Sequence, residues 1–308
     1  LPANVPPRVY LQPGAPPELV EAVTSEATLV ADAADANVIV WANIDGDGFL
    51  DARHDDIALV QLPFAGIDRW VAEGSIDARW TYAAAAGVYA APVAEHALAL
   101  LLAACRRLHE CARASDWGKR WERAGTSLDG SVVGIVGCGG IGERLLALLR
   151  PLGASVVAVT RSGRTVEGAT RSLAASQLNE LWPIVDHVVL LAPATDATRS
   201  LVGAAELEAM RSTAWLHNLA RGSLVDTGAL LAALDDGRIA GAALDVTDPE
   251  PLPEDHPLWS HARVLITPHV ACPPPVLLPH YASRVRENLR RLRQGERPLG
   301  VIDLDRGY

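Results

Sequence analysis

Along the first hundred residues, short apolar runs alternate with polar segments rich in Ala, Asp, Pro and Gly. Runs at 8–11, 37–41, 57–62 and 80–84 read as strands, with short helices or turns between them. At Ala91-Pro92-Val93-Ala94-Glu95 the pattern changes to a long helix. It is apolar almost all round to about Leu108, which predicts burial on several sides. Proline suits the first helical position, and Glu95 in the first turn would complement the helix dipole. A polar stretch over 110–129 carries Trp117 and Trp121 and reads as a loop with a short helix. From Gly130 a second series of strand-like runs follows, at 131–136, 154–159, 186–191, 213–219, 239–245 and 264–267, separated by helical patterns. Pro273-Pro274-Pro275 interrupts the chain, and an Arg-rich helix is predicted over about 276–294. Strands alternating with helices predict an α/β fold with parallel sheets.

The chain has 308 residues, a length that fits two domains. One domain is expected over 105–272. The last helix has no sheet of its own, so 273–308 is expected to join 1–104 in a discontinuous domain. Two crossings, near Leu101 and Pro273, would then form a hinge beside a cleft.

Composition narrows the chemistry. With 49% hydrophobic and 21% charged residues the chain is globular, not disordered. A net charge of -10 and scattered aromatic residues argue against nucleic acid and anionic membrane surfaces as partners. The longest apolar run, 97–105, is half of what a bilayer needs. No charged segment followed by an apolar one opens the chain, so a cytoplasmic, reducing setting is expected. Cys105, Cys111, Cys138 and Cys272 show no C-x-x-C spacing, which predicts neither a disulfide scaffold nor a metal site. Of 27 basic residues, 26 are Arg and only Lys119 is Lys. Anion sites must therefore be built from guanidinium groups, helix N-termini and backbone N–H groups.

One such site is legible at 132–142, Val-Val-Gly-Ile-Val-Gly-Cys-Gly-Gly-Ile-Gly. A strand ends in G-x-G-x-x-G at Gly137, Gly139 and Gly142 and a helix follows. Gly137 permits the tight turn, and Gly139 lets the backbone approach a pyrophosphate. Gly142 lets helix and strand pack closely, and Gly140 and Ile141 complete the loop. The next strand ends at Thr160 without the Asp or Glu that commonly binds the ribose 2′-hydroxyl of NAD; no acid appears before Glu167. Arg161, Ser162 and Arg164 offer instead two guanidinium forks and a hydroxyl suited to a 2′-phosphate. NADP is therefore the preferred cofactor expected, with NAD as the alternative.

Three further segments leave predicted strand ends: His217-Asn218-Leu219-Ala220-Arg221-Gly222, Asp245-Val246-Thr247-Asp248-Pro249-Glu250 and Thr267-Pro268-His269. Ligands bind at such ends in an open α/β sheet. Asp186 and His187 are adjacent but read as a strand entry, not a catalytic pair. With the glycine motif, these segments resemble the D-isomer-specific 2-hydroxyacid dehydrogenase family. The resemblance runs from about Val60 to Arg293. Gln61-Leu-Pro-Phe-Ala-Gly-Ile-Asp68 is similar to the family's substrate loop, the segment from Gly87 to His96 to its interdomain helix start, and the segment from Pro193 to Thr198 to its cofactor loop.

The resemblance implies two doubly wound domains, a Rossmann dinucleotide-binding domain inserted into a discontinuous flavodoxin-like substrate domain. It implies reduction of a small 2-keto acid, such as glyoxylate or hydroxypyruvate, to the D-2-hydroxy acid. Arg221 would hold the substrate, His269 would be the proton donor, and Glu250 would orient it. Phe64, Ala65 and Gly66 would line the substrate, with the bulk of Phe64 favouring small acids. Ala192, Pro193, Thr198, Leu219, Ala220 and Asp245 would meet the cofactor, Asp245 at the nicotinamide amide. Cys272, at a position commonly small or polar in the family, is expected to pack. A homodimer is implied, with Trp117 and Trp121 as a contact. A phosphoglycerate dehydrogenase-like enzyme, a relative acting on formate or phosphite, and a dinucleotide-sensing corepressor-like protein stay open as alternatives.

Overall fold

The computed structural model describes residues 5–43, 48–76, 78–118 and 120–304. Lys119, the one lysine, lies outside them. The chain divides into two compact units, Leu1–Tyr89 with Pro273–Tyr308, and Ala90–Cys272.

The first unit is a five-stranded parallel sheet. Its strands are β1 (Arg8–Gln12), β2 (Thr28–Val30), β3 (Val38–Trp41), β4 (Leu59–Gln61) and β5 (Tyr82–Ala83), in the order β2-β1-β3-β4-β5. Val9 stands opposite Val38 and Val60 opposite Tyr82. β3 and β4 are buried along their whole length, as strands covered on both faces must be. β2 was not anticipated, because a short edge strand that is mostly exposed carries no apolar signature. Helices α1 (Pro17–Thr24) and α2 (Asp68–Ala72) belong to the same unit. Trp41, Phe49, Phe64, Trp70 and Tyr82 gather in its core.

The C-terminal helix, Pro274–Arg293, packs on α1. Pro274 and Pro275 occupy its first turn, where a missing N–H costs nothing, so the proline run starts the helix as well as ending the preceding loop. Buried polar groups tie it to the sheet. The Tyr281 hydroxyl is shared between the carbonyls of Trp41 and Gln61, at 2.8 and 3.1 Å. Asn288 Nδ2 donates to Gln61 Oε1 at 2.6 Å, and Asn288 Oδ1 accepts the Leu299 N–H at 2.7 Å.

The second unit opens with α3 (Ala90–Cys105) and α4 (Leu108–Arg113). Because α3 starts one residue earlier than the sequence suggests, Pro92 stays in its first turn and Glu95 falls beyond it. Seven parallel strands follow: β6 (Val132–Val136), β7 (Ser155–Thr160), β8 (Arg171–Ala174), β9 (His187–Leu190), β10 (Trp215–Asn218), β11 (Gly241–Leu244) and β12 (Val264–Ile266). Their order is β12-β11-β10-β9-β6-β7-β8. α5 (Gly140–Leu149) packs against α3, and α6 (Ala204–Ala209) against α7 (Thr227–Asp235). β8 is another half-exposed edge strand without a pattern to reveal it. The strand order reverses between β6 and β9, the crevice where such sheets bind ligands. Trp117 and Trp121 stand out in solvent, 82% and 77% exposed. Among the described residues, no helix is long and apolar enough to cross a membrane.

Two histidines are buried within this sheet. Cys105 Sγ lies 3.3 Å from His187 Nε2, and His187 Nδ1 lies 3.2 Å from His217 Nε2. Burial lowers His187 to about 4 and holds His217 well below the ordinary range, with His187 adding to the second shift. The fold therefore keeps both neutral, while the unfolded chain protonates them below about 6.5. Their contribution to stability is complete above that value and is lost as pH falls towards 4. Urea unfolding should show the wild type losing about 2 kcal/mol from His187 between pH 6.5 and 5. His187→Asn should flatten that slope. Parallel pH profiles for the two proteins would refute the assignment.

Candidate functional site

The glycine loop joins β6 to α5. Gly137 has a φ of +89°, and a Cβ there would stand 2.4 Å from the backbone nitrogen of Ala192, so the loops after β6 and β9 touch through bare backbone. Gly142 serves packing: its Cβ would meet Ile135 Cγ2 at 3.0 Å. Gly139 caps α5 without a side-chain hydrogen bond, and a Cβ on Gly139 or Gly140 would meet nothing within 4 Å. Ile141 follows, half-buried, in the first turn of α5. Open backbone at a helix N-terminus fits a pyrophosphate. At the end of β7 the buried Thr160 Oγ1 has no hydrogen-bond partner, which fits a ribose hydroxyl. These residues suit a dinucleotide.

Arg161, Ser162 and Arg164 are exposed beyond β7. Arg164 pairs with Glu143 on α5, and its Nη2 donates to the Cys138 carbonyl at 3.1 Å. In the loop after β9, Ala192 is buried and Pro193 exposed. The Thr198 hydroxyl donates to the Pro193 carbonyl at 2.7 Å and accepts the Thr195 N–H at 2.8 Å. Thr198 thus shapes the loop through its own backbone. Leu219 and Ala220 are buried beyond β10, where Ala220 N–H donates to Asn218 Oδ1 at 3.1 Å.

Arg221, Glu250 and His269 come together beyond β10, β11 and β12. Gly222 lets the first two loops meet, since a Cβ there would lie 1.8 Å from the Thr247 carbonyl oxygen. His269 Nδ1 stands 2.6 Å from Glu250 Oε1. That hydrogen bond, against the opposing effect of burial, raises the imidazole above its ordinary range and lowers the carboxyl. The two shifts agree in direction. The Arg221 charge is close enough to lower both groups, and its Nη1 donates to the Ala220 carbonyl at 2.8 Å.

His269 has a φ of +52°, unusual for a residue with a side chain. Its N–H lies 2.8 Å from the Asp245 carbonyl and 2.9 Å from that of Thr267. The Asp245 carboxylate completes the turn. Oδ1 accepts from Thr267 Oγ1 at 2.6 Å and from Val270 N–H at 3.1 Å, and Oδ2 accepts from Ala271 N–H at 3.2 Å. His96 Nε2, from α3, lies 3.4 Å from Oδ1 and 3.0 Å from Thr267 Oγ1. Burial alone would raise the Asp245 carboxyl, but the bonds from His96, Thr267 and Val270 outweigh it and hold the group low. Asp245, expected at the nicotinamide amide, thus has both oxygens engaged by its own unit. Sequence reasoning missed this role, and it missed His96 and Thr267. The available signal was one histidine in an almost wholly apolar helix.

In the first unit, Phe64 belongs to the core. The residue is 8% exposed and its ring stacks on Trp70, with centroids 4.2 Å apart. Aromatic packing of this kind holds the ring within the core cluster of the unit. Ala65 and Gly66 follow at the surface of this unit, exposed and half-buried. Burial raises the Cys272 thiol to about 11, which keeps it protonated and suits a packing role. A cavity of about 930 Å³ opens at the starts of β9 and β10, beside Cys105, Asp186, His187 and Trp215. It lies at the opposite ends of the strands from the cluster above. Asp186 serves structure there, accepting from Val132 N–H and Arg211, both at 2.8 Å.

Residues 98–271 match the family model "D-isomer specific 2-hydroxyacid dehydrogenase, NAD binding domain". The chain is 41% identical over 258 residues to the "uncharacterized protein in proB 3'region" of Corynebacterium melassecola, covering 82% of this chain and 84% of that one. It is 35% identical over 226 residues to the glyoxylate reductase of Aeropyrum pernix, covering 70% and 68%. The crystal structure of a D-isomer specific 2-hydroxyacid dehydrogenase from Xanthobacter autotrophicus Py2, in complex with NADPH and MES, superposes with a TM-score of 0.83. Its sequence is 26% identical, and the match covers 99% of this chain and 100% of that one. Glycine loop, strand order and relatives agree: the chain belongs to the D-isomer specific 2-hydroxyacid dehydrogenase family, NAD(P)-dependent oxidoreductases acting on CH–OH groups.

Proposed function

We propose that this protein reduces a small 2-keto acid, of the glyoxylate or hydroxypyruvate kind, to the D-2-hydroxy acid, with NADPH preferred over NADH. The observation that carries this reading is the 2.6 Å bond between His269 and Glu250 beside the Arg221 charge. A nicotinamide held at the glycine cradle would supply the hydride. Arg221 holds the substrate's carboxylate and keto oxygen, as a planar fork can. Backbone N–H groups at Ala65 and Gly66 are assigned to the carboxylate. His269 keeps a proton on the ring nitrogen away from Glu250 and delivers it to the developing alkoxide; general acid catalysis of this kind is worth ~10²–10⁴-fold. Glu250 favours the charged imidazole and fixes its orientation. The reverse oxidation needs His269 neutral, as a base.

Cofactor preference follows from what stands beyond β7. Thr160 replaces the acid that would bind a 2′-hydroxyl and repel a 2′-phosphate, and Arg161, Ser162 and Arg164 are at hand. The NADPH in the Xanthobacter structure supports the same choice. The exposed Trp117 and Trp121 are proposed as part of a contact between two copies.

Three outcomes test these readings. His269→Ala should lower kcat by at least ~10²-fold while cofactor affinity, measured by fluorescence titration, stays within a factor of about two. An unchanged kcat would remove His269 from the mechanism. Glu250→Gln should move the alkaline limb of the keto-acid reduction profile to lower pH, because the imidazole loses the partner that keeps it charged. An unmoved limb would break the pair. The kcat/KM for NADPH should exceed that for NADH by ~10-fold or more, and Arg161→Gln should narrow the ratio. Equal or reversed efficiencies would overturn the preference.

A further inference from the structure

The C-terminal helix is rich in arginine, and most of these cations have acids beside them. Arg286 lies 3.3 Å from Glu21, and Arg290 and Arg291 lie 2.7 and 2.8 Å from Glu287. Arg284 differs. It is half-buried and its Nη1 is wholly buried without a hydrogen-bond partner. Burial lowers its guanidinium from the ordinary value, with no acid opposing the shift.

Two glycines lie beside its guanidinium. Gly87 and Gly300 have φ of +83° and +74°, a conformation that favours glycine. A Cβ on Gly300 would stand 3.0 Å from Arg284 Nη1, and one on Gly87 3.5 Å from Nη2. The adjoining segments, 61–67, 83–91 and 298–302, contain no Asp or Glu. The same backbone leads to the loop assigned to the substrate: Ala85 N–H donates to the Phe64 carbonyl at 2.8 Å, and the Tyr89 hydroxyl to the Pro63 carbonyl at 2.7 Å.

An uncompensated guanidinium in poor contact with water is costly, and a fold that needed only packing there would do better with an apolar side chain. A planar fork flanked by glycines and free of competing acids is matched by a carboxylate or phosphate. We infer that Arg284 anchors an oxyanion site in the first unit, for the carboxylate or phosphate group of a small acid, distinct from Arg221 and His269. The site stands independently of the reaction proposed above; only the kinetic arm of its test rests on that reading.

Arg284→Met keeps the length of the side chain and removes the charge. Thermal unfolding without added anion should place this variant at or above the wild type, by about 2 °C. Malonate and inorganic phosphate, titrated separately, should raise the Tm of the wild type and of Arg221→Gln alike, and that response should be lost in Arg284→Met. Lower stability of Arg284→Met without anion, or an anion response equal to the wild type, overturns the site. In the kinetic arm, a KM that rises about 10–100-fold for 2-oxoglutarate but not for glyoxylate makes the anion the substrate's distal group. Equal KM values with the thermal response intact make it a separate anion, and the site is supported either way. If no 2-keto acid is turned over while the Arg284-dependent response persists, the proposed reaction fails and the site remains.

Discussion

The loop that carries His269 depends on one buried carboxylate. Asp245 is 3% exposed, and burying a charge is unfavourable unless hydrogen bonds replace water. Here they come from α3 and from the loop after β12: His96, Thr267, Val270 and Ala271 all face its two oxygens. The requirement to satisfy Asp245 fixes the path of residues 267–271. That path holds His269 in a left-handed conformation and aims its imidazole at Glu250. Asp245 therefore holds the His269 imidazole beside Glu250.

The parallel sheet supplies the other half of the arrangement. Strands β10, β11 and β12 run side by side and in one direction, so residues far apart in sequence leave the sheet at one edge. Bare backbone then lets the loops close on one another. Gly222 against Thr247 brings the Arg221 loop to the Glu250 loop, and Gly137 against Ala192 joins the two sides of the dinucleotide crevice. A methyl group at either position would occupy space the neighbouring backbone already fills.

Arginine takes on several tasks in a chain with one lysine. On the C-terminal helix most guanidinium groups pair with acids at or near the surface, where each pair adds little to stability. Arg221 acts through its charge on His269 and Glu250. Arg284 is a third kind, held without an acid among glycines. The anion sites proposed above are compatible with a net charge of -10, because short-range hydrogen-bond geometry outweighs a distant and screened net charge.

Much of the architecture was readable in one dimension. Fully buried parallel strands are continuous apolar runs, so β3, β4, β6, β7, β9, β10 and β11 announce themselves, and the glycine spacing after β6 marks the cradle. The edge strands β2 and β8 have no buried face and left no pattern. Arg221, Glu250 and His269 were singled out because the segments that carry them leave strand ends and resemble the family's motifs, and parallel topology gathers such segments at one edge. Three things depended on packing in space. Phe64 joined an aromatic cluster, Asp245 bonded to the His269 loop, and among the described residues Arg284 Nη1 was left without a hydrogen-bond partner. The sequence alone determined the buried strands, the helices between them and the residue types at their ends, since periodicity and spacing are local. Only the tertiary structure decided which way each side chain faces and which charges are satisfied, since those depend on neighbours tens or hundreds of residues away.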